Sequence, residues 1–220
     1  MKKITYLIAG ALSLGVFTSC GSDATKTEAS EAQEVQKVET ESSKTLSQVT
    51  EGSHIYWRGT HLGGTGERFG KAYIKEAEVV VDGDKVVNAK AVIDMTSFTV
   101  ENFGDDTTST NSLTGHLHTA DFFNTTEFPT ASFELTGIEA AEGEYNSKVT
   151  GNLTIKGISK SITFSANVTP SADMVAVKSE QFSVDRREWG IVYNVEGTEG
   201  VPANYIISNE LEFKIDFSVK

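Results

Sequence analysis

The chain has 220 residues, 38% of them hydrophobic, and a formal net charge of −12. That acidic balance argues against a nucleic-acid partner, which needs a basic face to neutralise phosphates. Cys20 is the only cysteine, so neither a disulfide framework nor a cysteine-built zinc site can form within one chain.

Lys2 and Lys3 precede an apolar run over residues 4–17, too short to span a bilayer as a mature helix but suited to the core of a secretory signal. The run ends in Phe17-Thr18-Ser19-Cys20, which resembles a bacterial lipobox with phenylalanine where leucine is usual. Residues 1–19 therefore read as a lipoprotein signal peptide and Cys20 as the lipidated first residue of the mature chain; the plainer alternative is an ordinary signal whose cut falls near a chance cysteine. Loss of Lys2 and Lys3 takes the charge from −12 to −14. Two or more acyl chains on Cys20 would hold the protein on a membrane. Gly21 and Ser22 do not resemble an inner-membrane retention signal, so the outer membrane, facing the periplasm, is the expected location. From residue 20 to 48, Ser, Thr, Glu, Ala and Lys dominate and no aromatic appears. Such a segment reads as a disordered acidic tether; a helix over 28–44, with Val35 and Val38 on one side, is the alternative.

Residues 49–220 have the size of one domain, and their pattern is β throughout. Eight strands are predicted, near 52–60, 70–81, 85–97, 130–139, 144–156, 158–169, 173–184 and 203–219. In the last, Tyr205, Ile207, Leu211, Phe213, Ile215, Phe217 and Val219 share one face, with Asn209 the polar exception, as in a half-buried strand. Ile162, Phe164, Ala166 and Val168 alternate likewise, as do Val87, Ala89, Ala91, Ile93 and Met95. Asp82-Gly83-Asp84 and Lys156-Gly157-Ile158 read as turns. An insertion over 100–129 carries a short helix capped by Asn111 or Ser112, with Leu113 and Leu117 in its body. The fold class is all-β: an eight-stranded antiparallel barrel with that helical insertion between strands 3 and 4. Such a barrel is filled by side chains or holds one small ligand.

Within the insertion, His116, His118 and Asp121 stand at H-x-H-x-x-x-D spacing, followed by Phe122, Phe123, Phe128 and Phe133. A metal site would use these three with His54 or His61. On a helix, however, residues two apart diverge, and we expect no metal. The simpler reading has His116 and Asp121 satisfying backbone groups while Phe122 and Phe123 point inward. No nucleophile elbow, phosphate-cradling loop or complete metal motif is present, so no enzyme and no cofactor are expected.

Three ordered motifs, "HLHTADFFNTTEFPTASFEL", "VTGNLTIKGISKSITFSANV" and "FSVDRREWGIVYN", resemble the signatures of the YceI-like family of polyisoprenoid-binding proteins, especially its lipoprotein members. The similarity spans about 53–220 and includes "SHIYWRGTHLGG". The resemblance implies a lipocalin-like barrel whose long apolar lumen accommodates an isoprenoid chain. His116, Leu117, Asp121, Phe122 and Phe123 match its His-Leu and Asp-Phe-Phe positions. Gly151, Leu153, Thr154 and Gly157 match its hairpin, and Arg186 and Gly190 its late loop. Many members carry Arg-Asp just before the His-Leu pair, where this chain has Leu113-Thr114-Gly115. Aromatics on inward faces are most often plain core; the resemblance turns Trp57, Phe98, Phe122, Phe123, Phe133, Phe164, Phe182, Trp189, Tyr193 and Phe213, with His116 and Asp121, into candidate ligand contacts. Among the cations Arg58, Arg68, Lys71, Arg186 and Arg187, Arg186 is the candidate for a polar mouth. The expected function is a membrane-anchored, noncatalytic carrier of an isoprenoid or similar amphiphile; the alternatives are an interaction protein with a filled barrel, or an enzyme using His116 and Asp121. A homodimer is compatible with the sequence.

Overall fold

An antiparallel sheet with one apolar face exposes two edges unless it curls until its first and last strands meet. The computed structural model, which describes residues 24–36, 41–171 and 173–220, shows such a closure. Three short strands come first: β1 (Thr25–Lys26), β2 (Ser30–Glu31) and β3 (Ser43–Leu46). The wall follows as β4 (His54–Gly59), β5 (Arg68–Asp82), β6 (Lys85–Asp94), β7 (Thr130–Ala140), β8 (Ser147–Ile155), β9 (Ile158–Pro170), β10 (Val175–Ser179), β11 (Phe182–Asp185) and β12 (Glu210–Val219). Helix α1 (Thr107–Leu117) lies between β6 and β7. Each wall strand pairs antiparallel with the next up to β10, and β12 closes the ring by pairing with β4, Phe213 opposite Trp57. β10 and β11 are two halves of one stave, both paired to β12. The result is a closed eight-stranded antiparallel barrel.

The predicted turns appear where expected. Asp82 pairs with Lys85 around Gly83, whose φ is 63°. Ile155 pairs with Ile158 around Lys156 and Gly157, both at positive φ, the type I′ geometry that matches strand twist. Other expectations are corrected. The seventh strand breaks at 180–181. The last begins at Glu210, because residues 203–205 form a 3-10 turn that leaves Tyr205 60% exposed. β-Bulges, which shift the in/out phase by one residue, fall between Ile74 and Glu76 and at the Val80/Val81 step, opposite Val87. Val86 rather than Val87 consequently faces the interior cavity. Helix α1 starts earlier than predicted: its cap is Asp106, whose carboxylate accepts from the Ser109 amide at 3.0 Å, so Asn111 and Ser112 lie mid-helix.

Composition predicts a tether over residues 20–48; in the described part of that stretch the chain instead pairs with the barrel. β9 and β10 are paired from Ala166 onward, but β9 and β11 diverge beyond Ser165 and Glu180. Residues 24–31 occupy the wedge between them. β1 runs parallel to β11, Thr25 beside Phe182, and β2 runs antiparallel to β9, Ser30 beside Ser161. Thr27 is buried and its hydroxyl donates to the Thr163 carbonyl at 3.0 Å. Beyond the wedge, the Asn152 side-chain amide clasps the Gln33 backbone, accepting at 2.8 Å and donating at 2.7 Å. β3 then pairs with β5, burying Leu46. The reason is backbone chemistry: two sheet edges present unpaired N–H and C=O groups, and a polar chain supplies partners for them as well as an apolar one does. The alternative helix over 28–44 is replaced by extended chain at β2 and β3.

Gly151 shows why the β8 motif carries a glycine. A Cβ there would lie 2.2 Å from Phe133 Cζ and 2.6 Å from the Glu134 carbonyl oxygen; the bare backbone lets the Phe133 ring lie across it. Gly151→Ala is expected to cost about 1–3 kcal/mol by overpacking. Gly137→Ala, whose Cβ meets nothing within 4 Å, should leave the denaturation midpoint nearly unchanged. Equal shifts for the two would contradict this account.

Candidate functional site

Inward side chains do not fill the barrel. A cavity of about 860 Å³ lies at the end formed by α1, the start of β5 and the loops before β12, within the range of about 300–1,000 Å³ usual for ligand sites. Its wall mixes apolar groups (Trp57, Leu113, Leu117, Phe122, Phe123, Ile191, Leu211) with polar ones (His61, Arg68, His116, Arg186, Ser208, Glu210). Two narrower chambers lie deeper, about 80 Å³ and 100 Å³. The first shares Trp57 and Phe123 with the mouth cavity and holds Phe98, Phe182 and Phe213; both contain Ile55, Phe133, Phe164 and Ile215. The site is a lumen with a polar mouth and an apolar throat.

Strand alternation builds the throat. Phe133, Phe164, Phe182 and Phe213 come from β7, β9, β11 and β12, and their rings form a belt: centroids 5.8 Å apart for Phe133 and Phe164, 4.8 Å and nearly parallel for Phe164 and Phe182, 6.0 Å for Phe182 and Phe213. Trp57 meets Phe98 edge-on at 6.2 Å, and Phe98 lies 4.9 Å from Phe123. These contacts fall within the range favoured by aromatic pairs.

The insertion roofs the mouth. His116, in the last turn of α1, donates from Nε2 to Asp121 at 2.8 Å and stands edge-on to Phe122 and Tyr193, each at 5.0 Å. His116 and Asp121 thus pair with each other rather than with the backbone groups expected. His118 turns away to the Thr125 hydroxyl at 2.9 Å, and His54 to the Gly52 carbonyl at 2.6 Å. Among the described residues no group of three His, Cys, Asp or Glu is placed to hold a metal. The His61 imidazole is pushed below its ordinary value chiefly by burial and secondarily by Arg68, both of which favour its neutral form.

Arg186 lines the mouth, and each of its three guanidinium nitrogens donates to a backbone carbonyl. Only 3% exposed, it donates from Nε to the Ser208 carbonyl at 2.9 Å, from Nη1 to Ile191 at 2.9 Å and from Nη2 to Ile207 at 3.1 Å. Burial lowers its pKa to about 10, so it stays a cation, held by charge-assisted bonds to carbonyls. It ties the 191 loop to the chain entering β12. The other cations are engaged too: Arg58 with Glu67 and Glu212, Lys71 with Glu101, Arg187 with Asp185, and Arg68 over the Phe103 ring at 5.0 Å.

Of the predicted contacts, Trp57, Phe98, His116, Phe122, Phe123, Phe133, Phe164, Phe182, Arg186, Tyr193 and Phe213 line the lumen. Two do not. Trp189, in the 3-10 turn after β11, is fully buried within the core, its indole N–H donating to the Leu153 carbonyl at 3.0 Å, and it does not border these cavities. Asp121 serves His116 instead. Sequence reasoning missed the aliphatic lining, Ile55, Ala72, Ile93, Leu153, Ile162, Leu211 and Ile215, whose strand alternation was the available signal.

Two outcomes follow for the mouth. Arg186→Met strands three carbonyls and should cost about 3 kcal/mol or more in denaturant unfolding; Arg186→Lys should recover only part, since one ammonium lacks the planar fork. Asp185 and Asp106 are held below the usual carboxylate range, mainly by side-chain bonds from Arg187 and Ser109 respectively. Their stabilisation is complete above about pH 4 and is lost as pH falls through the lowered values. Acidification below about pH 4 should therefore loosen the turn after β11, read as a change in Trp189 fluorescence that Asp185→Asn abolishes.

Comparison with known proteins agrees with this geometry. The chain is similar in fold to a polyisoprenoid binding domain from Saccharophagus degradans implicated in plant cell wall breakdown, at 14% identity and a TM-score of 0.55 over 80% of this chain and 99% of that one. It is similar to Burkholderia cenocepacia BcnA at 20% identity and a TM-score of 0.53, over 76% and 96%. Protein YceI of Shigella flexneri is 38% identical over 58 residues, 26% of this chain and 29% of that protein, so the matched stretch spans under a third of that relative. The YceI-like domain model matches residues 46–219, which takes in every wall strand and the roofing insertion, and the chain therefore belongs to the YceI-like family.

Proposed function

We propose that this protein is a noncatalytic, lipid-anchored carrier that holds a polyisoprenoid or similar amphiphile in its barrel within the cell envelope. The single observation that supports this most is the lumen itself: a cavity of about 860 Å³ with polar groups at its rim, leading to chambers lined by apolar side chains. That polarity gradient matches an amphiphile with a long hydrocarbon tail. Burial of the tail contributes roughly 0.8 kcal/mol per methylene-sized group, less the cost of ordering it. The Saccharophagus degradans neighbour is described as polyisoprenoid-binding, and the same class of ligand fits here. A filled barrel acting only through its acidic outer face has less support, because side chains leave the mouth open.

The anchor is the sequence reading of Cys20, with the outer membrane facing the periplasm as its place. The reading that His116 and Asp121 perform chemistry gains nothing from the geometry, since they bond to each other beside aromatic rings.

Native mass spectrometry of the protein purified from its own envelope compartment, followed by organic extraction, tests this reading. A stoichiometric isoprenoid is expected. An empty protein that also refuses added prenyl lipids would overturn it in favour of the interaction protein. His116→Ala should retain the bound lipid.

A further inference from the structure

Chain from outside the eight staves joins the wall where β3 pairs with β5, and again in the wedge between β9 and β11, where it stands between two wall strands. Continuous staves meet neighbours along most of their length, β8 and β9 through nine residue pairs. The chain filling the wedge has two register pairs to β11 and two to β9. Around them lie single side-chain bonds: Thr25 to Glu180 at 2.9 Å, Thr27 to the Thr163 carbonyl, and Lys160 to Glu31 at 2.8 Å. Lifting it would leave β9 and β11 two strand spacings apart, roughly 9–10 Å. Directly behind the wedge stand Phe164 and Phe182, the stacked pair of the throat, one on each flank.

We infer that this wedge is a lateral port through which the hydrocarbon tail passes between a bilayer and the lumen, and that residues 24–31 are the removable stave that shuts it. The inference rests on the carrier reading above. Two further observations favour the side over the end. The mouth is rimmed by polar groups, which a hydrocarbon tail crosses at a desolvation cost to them, whereas the wedge leads straight to the apolar throat. Moreover, the stave begins at Ala24, and four residues of chain reach at most about 14 Å. A lipidated Cys20 would therefore keep the port beside the membrane surface. Flank, stave and anchor act together: motion of the anchored chain relative to the barrel pulls on the segment that seals it.

A disulfide across the stave tests this. Ser30 and Ser161 are directly opposed in an antiparallel pair, where Cα atoms lie about 4.5–5.5 Å apart, within disulfide range. Ser161 alternates with the lumen-lining Ile162, so the bridge lies outside the cavity. In the full mature chain, whose lipidated Cys20 carries a thioether and no thiol, the Ser30→Cys and Ser161→Cys pair supplies the only thiols. Transfer of a dansyl-labelled polyprenol from phosphatidylcholine vesicles is then timed in the oxidised and reduced forms of the same protein, alongside its equilibrium binding. We expect equal binding in both forms and transfer slowed about tenfold or more on oxidation, restored by reductant. Asn152→Ala, which frees the Gln33 backbone, should instead speed transfer about tenfold, as expected for two hydrogen bonds. Equal rates in the oxidised and reduced forms, with binding intact, would overturn the port and send the tail through the mouth. Failure of the probe to bind either form would overturn the carrier reading and the port with it.

Discussion

Strand β12 is shared by three others, and the barrel depends on that sharing. Its start pairs with β11, its middle with β4 and its end with β10. Because one strand has only two edges, β4 occupies one of them while β10 and β11 divide the other. The two halves part at 180–181, where the register of this stave against β12 slips by one residue. Once β11 turns toward the mouth with β12, it parts from β9, and a wedge opens in the wall. The paired edges are obligatory in a dry wall, so the wedge has to be filled, and residues 24–31 fill it.

The same constraint places the functional features. A closed ring of eight staves leaves room inside for side chains or a small ligand, and this chain divides the space by height. The belt of Phe133, Phe164, Phe182 and Phe213 narrows the middle, while Gly151 lets the Phe133 ring lie flat against the wall. Nearer the mouth the staves are short or end in loops, and the space they leave is roofed by α1 with Phe122 and Phe123. Arg186 holds the rim by binding carbonyls of two chain segments. It illustrates how a buried charge without a carboxylate partner is tolerated when carbonyl dipoles satisfy it.

Much of this was legible in particular residues. Leu211, Phe213, Ile215 and Phe217 alternate in the sequence and line the lumen in the structure, because a two-residue period cannot be read any other way once one face is buried. Gly83 and Gly157 announced their turns through the need for positive φ. Val87 misled, since a bulge resets the phase and leaves no mark in composition. Tyr205 and Ile207 continued the alternation of β12 into a stretch where the chain bends into a 3-10 turn. Trp189 looked like a lumen residue for its size and motif position. Whether a residue after a strand end borders the lumen depends on a turn that hydrophobic pattern does not encode.

By itself the sequence determined the all-β class, the barrel, the roofing insertion and the family, because strand period, turn glycines and ordered motifs are local properties of the chain. Only the tertiary structure decided how the lumen is partitioned, which histidine meets which partner, and where residues 24–31 belong. Those depend on the spacing of strands far apart in sequence. A polar stretch poor in apolar residues reads as free chain until the edges it pairs with are brought to it, since the bonds that hold it are made by backbone, which every sequence shares.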